Sequence, residues 1–128
     1  MPNKTILVIE DMNSQRFIYK FNFKKMGFNV MGAETGEIAL ILAETHNPDL
    51  IISDVMLPRI NGFEVCRQLK ANEKTKNIPI IFVTAKSQKE DIIEGINAGG
   101  THYIVKPFDF NELISKIYEI IGKPEETV

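Results

Sequence analysis

Five short apolar runs alternate with five stretches of helical periodicity along this chain, and that alternation leaves few folds open. The strand-like runs are Lys4 to Ile9, Asn29 to Ala33, Leu50 to Asp54, Pro79 to Thr84 and His102 to Val105. The helical stretches run from about Asn13 to Met26, from after Thr35 to about Thr45, from about Phe63 to Ala71, from Ser87 to near Gly99-Gly100, and from Asp109 to Gly122. Local signals agree. Gly27 reads as a C-cap glycine, Pro48 stops the second helix, and Asn61-Gly62 marks a turn. Ser87-Gln88-Lys89-Glu90 has the pattern of a capping box, and Asp109 is followed three residues on by Glu112. In the first helix Ser14, Phe17, Ile18 and Phe21 share a stripe, which makes Phe17 and Phe21 core candidates. Cys66 falls with Phe63 and Leu69 on the inner face of the third.

Five β-α units in one domain predict a parallel sheet covered by helices on both faces. The first, third and fourth runs are nearly all apolar, as central strands are. Asn29-Val30-Met31-Gly32-Ala33 is weaker and suits an edge. With right-handed crossovers, the strand order 2-1-3-4-5 puts the topological switch point between the first and third strands. The domain is expected over residues 1–122, with 123–128 a polar tail or the start of a linker.

The chain has 128 residues and a net charge of -2, with Lys and Glu interspersed. Direct nucleic-acid binding by this domain is not expected, because phosphate contacts need a basic face. No apolar stretch approaches a membrane span. A single cysteine and an N-terminus that leads straight into a strand, with no signal peptide, fit a reducing, cytoplasmic setting.

Four of the apolar runs lead into reactive polar residues at the same end: Glu10-Asp11, Asp54, Thr84 and Lys106. In open α/β sheets the chemistry lies at this carboxyl edge. Three carboxylates forced together repel, and one lysine cannot balance them, so a divalent cation is implied. All-oxygen ligands without Cys or His point to Mg²⁺. Asp54 is the candidate nucleophile, since a carboxylate beside Mg²⁺ can attack a phosphoryl group and form an acyl phosphate. Lys106 would neutralise the transferred group, and Thr84 would donate a hydrogen bond to it. The plainer readings are a helix cap for Glu10-Asp11, a turn residue for Thr84 and a solvated lysine for Lys106. Pro107 argues against the last, because it restricts the residue before it.

These stretches together resemble the receiver domain of two-component response regulators. The matching segments are Ile6 to Asp11, Asp54 to Pro58 with Asn61 to Glu64, Val83 to Ala85, Ala98-Gly99 and Tyr103 to Phe108. The resemblance implies a flavodoxin-like (βα)5 sandwich whose Asp54 takes a phosphoryl group from a sensor histidine kinase or phosphotransfer protein. It implies Mg²⁺ held by Glu10, Asp11, Asp54 and the backbone carbonyl of Met56. It implies a switch made of Thr84 and Tyr103, phosphoryl contact by Lys106, and a cis bond between Lys106 and Pro107. Gly100 stands where the family favours alanine, with little consequence expected. The protein is then no conventional enzyme, but catalyses its own Mg²⁺-dependent phosphorylation and slow dephosphorylation. Neither Met56 nor Lys86 is a carboxylate or amide able to orient an attacking water.

The readout is expected on the fourth helix, fifth strand and fifth helix. In the last, Phe110, Ile114 and Tyr118 form a second apolar row, either part of a broad buried stripe or a partner or homodimer surface. A haloacid-dehalogenase phosphatase would need an aspartate where Met56 stands. A flavin-phosphate binder would need a hydroxyl- and glycine-rich loop in place of Glu10-Asp11-Met12-Asn13. A degenerate receiver would lack some of the five key side chains, all of which are present.

Overall fold

The computed structural model describes residues 3–124. Its elements are β1 (Thr5–Ile9), α1 (Asn13–Lys25), β2 (Asn29–Ala33), α2 (Gly36–His46), β3 (Leu50–Ser53), α3 (Gly62–Ala71), β4 (Ile80–Thr84), α4 (Lys89–Ala98), β5 (His102–Val105) and α5 (Phe110–Ile121). The strands form one parallel sheet in the order β2-β1-β3-β4-β5, as expected. Residues 125–128 of the expected tail lie outside the described residues; Lys123 is still tied to the domain, its Nζ 5.7 Å from the centre of the Tyr118 ring.

Strand alternation divides the core in two. Ile6 and Val8, Leu50 and Ile52, Ile81 and Val83, and Ile104 pack with Tyr19 and Phe23 of α1 and Leu113 and Ile117 of α5. Leu7 and Ile9, Ile51, and Ile80 and Phe82 pack on the other face with Ala39 and Ala43 of α2, Phe63 and Leu69 of α3, and Ala98 of α4. Every central strand is thus buried on both sides, which is why its sequence is a continuous apolar run rather than an alternating one.

Helix starts follow side-chain chemistry. Thr35 Oγ1 accepts from Ile38 N at 3.2 Å, Asn61 Oδ1 from Glu64 N at 3.0 Å, and Asp109 Oδ1 from Asn111 N at 2.9 Å. These bonds satisfy amides that the first turn leaves without helical partners. The box at α4 sits one residue later than expected: Asp91, not Glu90, reaches back, its Oδ2 accepting from Gln88 N at 3.1 Å. An aspartate at the third helical position spans that distance as well as a glutamate does.

The expected core role of Phe17 and Phe21 is wrong. They are 66% and 56% exposed, and α1 instead buries Tyr19 and Phe23. α1 is apolar on two faces, so periodicity alone does not choose between them. The choice is made by tertiary packing: Tyr19 and Phe23 lie in one cluster with Ile6, Val8, Leu113 and Ile117, and Phe23 also stacks on Phe110 at 5.9 Å. Phe110 and Tyr118 therefore belong largely to the inner packing of α5, Tyr118 against Phe28. Cys66 is buried as expected, its thiol donating to the Ala98 carbonyl at 3.3 Å.

Gly100 is not interchangeable with alanine here. A Cβ on it would stand 2.5 Å from the Phe82 ring, so the bulky phenylalanine of β4 takes the space that a methyl would need. Gly100→Ala should cost about 1–3 kcal/mol through overpacking. Urea denaturation should show a lowered midpoint, and Gly100→Ala should cost less when it is made in a Phe82→Leu background than in the native chain; an unchanged midpoint for the single variant would contradict this packing.

Candidate functional site

The same alternation that sorts the core aims the site. Glu10, Asp54 and Lys106 each lie two residues beyond a strand residue that faces α1 and α5: Val8, Ile52 and Ile104. Carried past the strand ends, that parity turns all three side chains to one side of the sheet. Backbone bonds hold the tips level, with Asp54 N donating to the Ile9 carbonyl at 3.1 Å and Lys106 N to the Thr84 carbonyl at 2.8 Å.

The three meet. Lys106 Nζ lies 3.1 Å from Asp54 Oδ2 and 3.3 Å from Glu10 Oε1. The second oxygen of each acid is held by backbone: Asp54 Oδ1 accepts from Met56 N at 2.9 Å and Glu10 Oε2 from Met12 N at 3.2 Å. Both acids are thus fixed in orientation, which a solvated lysine or a plain helix cap would not require. The peptide bond between Lys106 and Pro107 is cis.

Beneath Asp54 the chain turns through a tight loop, and Gly62 N donates to the Val55 carbonyl at 2.9 Å. A Cβ on Gly62 would stand 2.3 Å from the Asp54 carbonyl oxygen, so only glycine allows the start of α3 to close on the aspartate.

Burial pushes the Glu10 carboxyl above its ordinary value of 4.5. The Met12 amide and the Lys106 charge oppose that, while Asp54 and the adjoining Asp11 add to it. Burial works against the Lys106 ammonium, but the hydrogen bond and charge of Asp54, with Glu10, more than offset it and raise its pKa. The lysine therefore stays charged and serves as the resident counter-ion.

Asp11 is exposed at the rim beside Glu10, and Met56 is exposed beyond Asp54. Among the described residues no three carboxylate, imidazole or thiol groups already stand in an ion-ligating arrangement. The donor chemistry nonetheless fits a hard cation: carboxylate oxygens only, two of them drawn together around a positive charge.

Thr84 is fully buried but follows the other parity, two residues beyond Phe82. Its Oγ1 accepts from Lys86 N at 3.4 Å and makes no hydrogen bond to Asp54. Tyr103 lies opposite Phe82 on β5, two residues before the partner of Thr84. The Tyr103 ring packs on Phe63 and Phe82, and its hydroxyl donates to the Lys86 carbonyl at 2.7 Å. Burial holds that phenol at about 12, so it remains a donor. Thr84 and Tyr103 thus both bond to the backbone of one residue, Lys86.

Two site residues were not foreseen. Arg16 donates to the Glu10 carbonyl at 2.7 Å and pins the β1 tip to α1. Buried Tyr19 borders the same groove as Lys106 and Pro107. A cation one turn into the helix that follows paired acids was the available signal for Arg16; Tyr19 carried none beyond its apolar position. His46 is exposed at the end of α2, and His102 lies 3.8 Å from Glu119, so neither belongs to the site.

A family profile described as the response regulator receiver domain matches residues 6–118. The chain belongs to the receiver domain family of response regulators. Alkaline phosphatase synthesis transcriptional regulatory protein PhoP of Bacillus subtilis (strain 168) is 39% identical over 123 residues, 96% of this chain and 50% of that protein. The chain spans about half the length of the transcriptional regulators it matches (50% and 55% for two of them). Chemotaxis protein CheY4 of Vibrio cholerae superposes with a TM-score of 0.86 at 30% identity, covering 91% of this chain and 98% of that one. The receiver domain of sensor histidine kinase PA1611 from Pseudomonas aeruginosa PAO1 gives 0.85 at 29% identity, covering 94% and 98%; that structure has a magnesium ion coordinated in its active-site cleft. A receiver domain is the phosphorylation-activated switch of two-component signalling, and this chain has that role.

The raised Glu10 value has a sign that can be measured. The folded state binds this proton more tightly than the unfolded state, so the stability involved is present below the unfolded value near 4.5 and is lost as pH rises through the folded value. Lys106→Met removes the opposing charge and extends that loss toward neutral pH. Metal-free thermal melts should therefore show a larger deficit for the variant at neutral pH than near pH 4.5; a deficit independent of pH would contradict the pairing.

Proposed function

We propose that Asp54 is the phosphoryl acceptor of this receiver domain, and that the donor is the phosphohistidine of a sensor histidine kinase or phosphotransfer protein. One observation carries the reading: the Asp54 carboxylate, held at 2.9 Å by the Met56 amide and 3.1 Å from the Lys106 ammonium, is fixed at the open carboxyl edge of the sheet. An Asp54 oxygen attacks phosphorus, the P–N bond to the donor imidazole breaks, and the imidazole nitrogen keeps the electron pair. The product is an acyl phosphate on Asp54. Lys106 neutralises its charge, and Arg16 keeps Glu10 in place meanwhile.

Glu10, Asp11, Asp54 and the Met56 carbonyl would hold Mg²⁺. The ion supplies charge neutralisation between the acids and the incoming phosphoryl group. The magnesium ion coordinated in the active-site cleft of the Pseudomonas aeruginosa receiver supports Mg²⁺ binding in this cleft as well.

Thr84 and Tyr103 form the switch. The hydroxyl of Thr84 turns from Lys86 N toward the phosphoryl oxygens and draws the β4–α4 segment with it. Tyr103, already bonded to Lys86, follows that segment and carries the change to α4, β5 and α5, where a downstream partner, an effector domain or a second copy reads it. Reversing a 1:99 population takes roughly 5.5 kcal/mol. Charge-assisted hydrogen bonds are worth roughly 1.5–3 kcal/mol each, so two or three contacts made only after phosphorylation suffice. The setting we assign is the cytoplasm; among the described residues no helix is long and apolar enough to cross a membrane.

Incubation with Mg²⁺ and acetyl phosphate should add one phosphoryl mass to the intact protein. Asp54→Asn and magnesium chelation should each abolish it. Thr84→Ala should still be phosphorylated but lose the shift of the α4-β5-α5 amide resonances. The acyl phosphate should last minutes or longer. Undiminished labelling of Asp54→Asn would overturn the assignment, and loss within seconds would overturn the lifetime.

A further inference from the structure

α1 contains four cations and no acid over Asn13–Lys25, within a chain whose net charge is -2. Three of the cations, Arg16, Lys20 and Lys24, recur every fourth residue beside Phe17 and Phe21. The two rings stack at 6.1 Å while 66% and 56% exposed. Together these side chains line an open cavity of about 410 Å³ along three helical turns. An aromatic pair left in water beside a row of cations is a surface built for contact rather than a solvated helix face.

The same chain displays the complement. α4 exposes Ile93 and Ile96, at 48% and 59%, beside Glu90 and Glu94. The acid spacing of four matches the cation spacing on α1. α2 also exposes two isoleucines, but its Glu37 and Glu44 already pair with Arg59 and Lys74 at 2.7 and 3.4 Å. Glu90 makes no ion pair among the described residues, and Glu94 makes only a 3.5 Å contact with Arg67.

We infer that α1 of one copy docks on α4 of a second copy, Phe17 and Phe21 against Ile93 and Ile96, and Lys20 and Lys24 against Glu90 and Glu94. The contact is heterologous: each added copy leaves one α1 and one α4 free, so association grows with concentration instead of stopping at a dimer. The faces are short, which places the contact among weak, transient ones. It differs from a twofold contact through α4, β5 and α5, which would not use α1.

Sedimentation velocity on the whole chain at low salt, from about 10 µM to about 1 mM, spans the range of such weak contacts. The apparent mass should rise with concentration and return to that of a monomer at high salt, where screening acts within a few ångströms. Lys20→Glu with Lys24→Glu should abolish the rise, and so should Glu90→Lys with Glu94→Lys. An equimolar mixture of the two double variants should restore it, since each then offers a face of opposite charge to the other. Phe17→Ser, at an exposed position that folding does not need, should weaken association several-fold at unchanged net charge. A wild-type chain that stays monomeric throughout overturns the inference, even if α1 then binds anionic vesicles or another acidic protein. So does association that survives the α1 reversal, or a mixture that stays monomeric.

Discussion

The ammonium of Lys106, held between the carboxylates of Glu10 and Asp54, is the contact on which the site depends. Two carboxylates this close repel, and the ammonium between them offsets that repulsion. Its placement depends on the whole sheet, since the three residues lie at strand ends that are far apart in sequence and level in space.

The fold thereby separates two tasks by strand parity. Side chains that continue the α1/α5 side carry the charge chemistry. Thr84, which continues the other side, is kept from Asp54 and bonded instead to the segment that Tyr103 also holds. In the proposed function, charge at the site and conformation at α4 would be joined through one peptide segment, at Lys86. Packing makes that joint stiff: Phe63, Phe82 and Tyr103 form one aromatic cluster, and Phe82 fills the space over Gly100. In that proposal a small displacement of the segment would be passed on rather than absorbed.

Much of this was legible in the sequence for a physical reason. Strands buried on both faces must be continuous apolar runs, so their ends are sharp, and the polar residues at those ends could be named: Glu10, Asp11, Asp54, Thr84 and Lys106. The weak run Asn29 to Ala33 correctly indicated the edge. What failed were the judgements that depend on which of two similar faces packs. Phe17 and Phe21 share a stripe as good as that of Tyr19 and Phe23, and only packing against the sheet and α5 decides between them. Phe110 and Tyr118 were left open between core and partner surface for the same reason. The α4 cap was one residue early because Asp91 and Glu90 serve the same purpose. Gly100 was thought tolerant because its obstacle, Phe82, is distant in sequence. Arg16 was passed over because its partner is a backbone carbonyl, and its only signal was a cation one turn into the helix that follows the paired acids.

The account stands or falls on which oxygen becomes phosphorylated. Treating the protein with Mg²⁺ and acetyl phosphate, reducing the acyl phosphate with borohydride and mapping peptides by mass spectrometry converts the labelled aspartate to homoserine. The account predicts homoserine at position 54 alone. Homoserine at position 11 or at any other aspartate, or none anywhere, would contradict it.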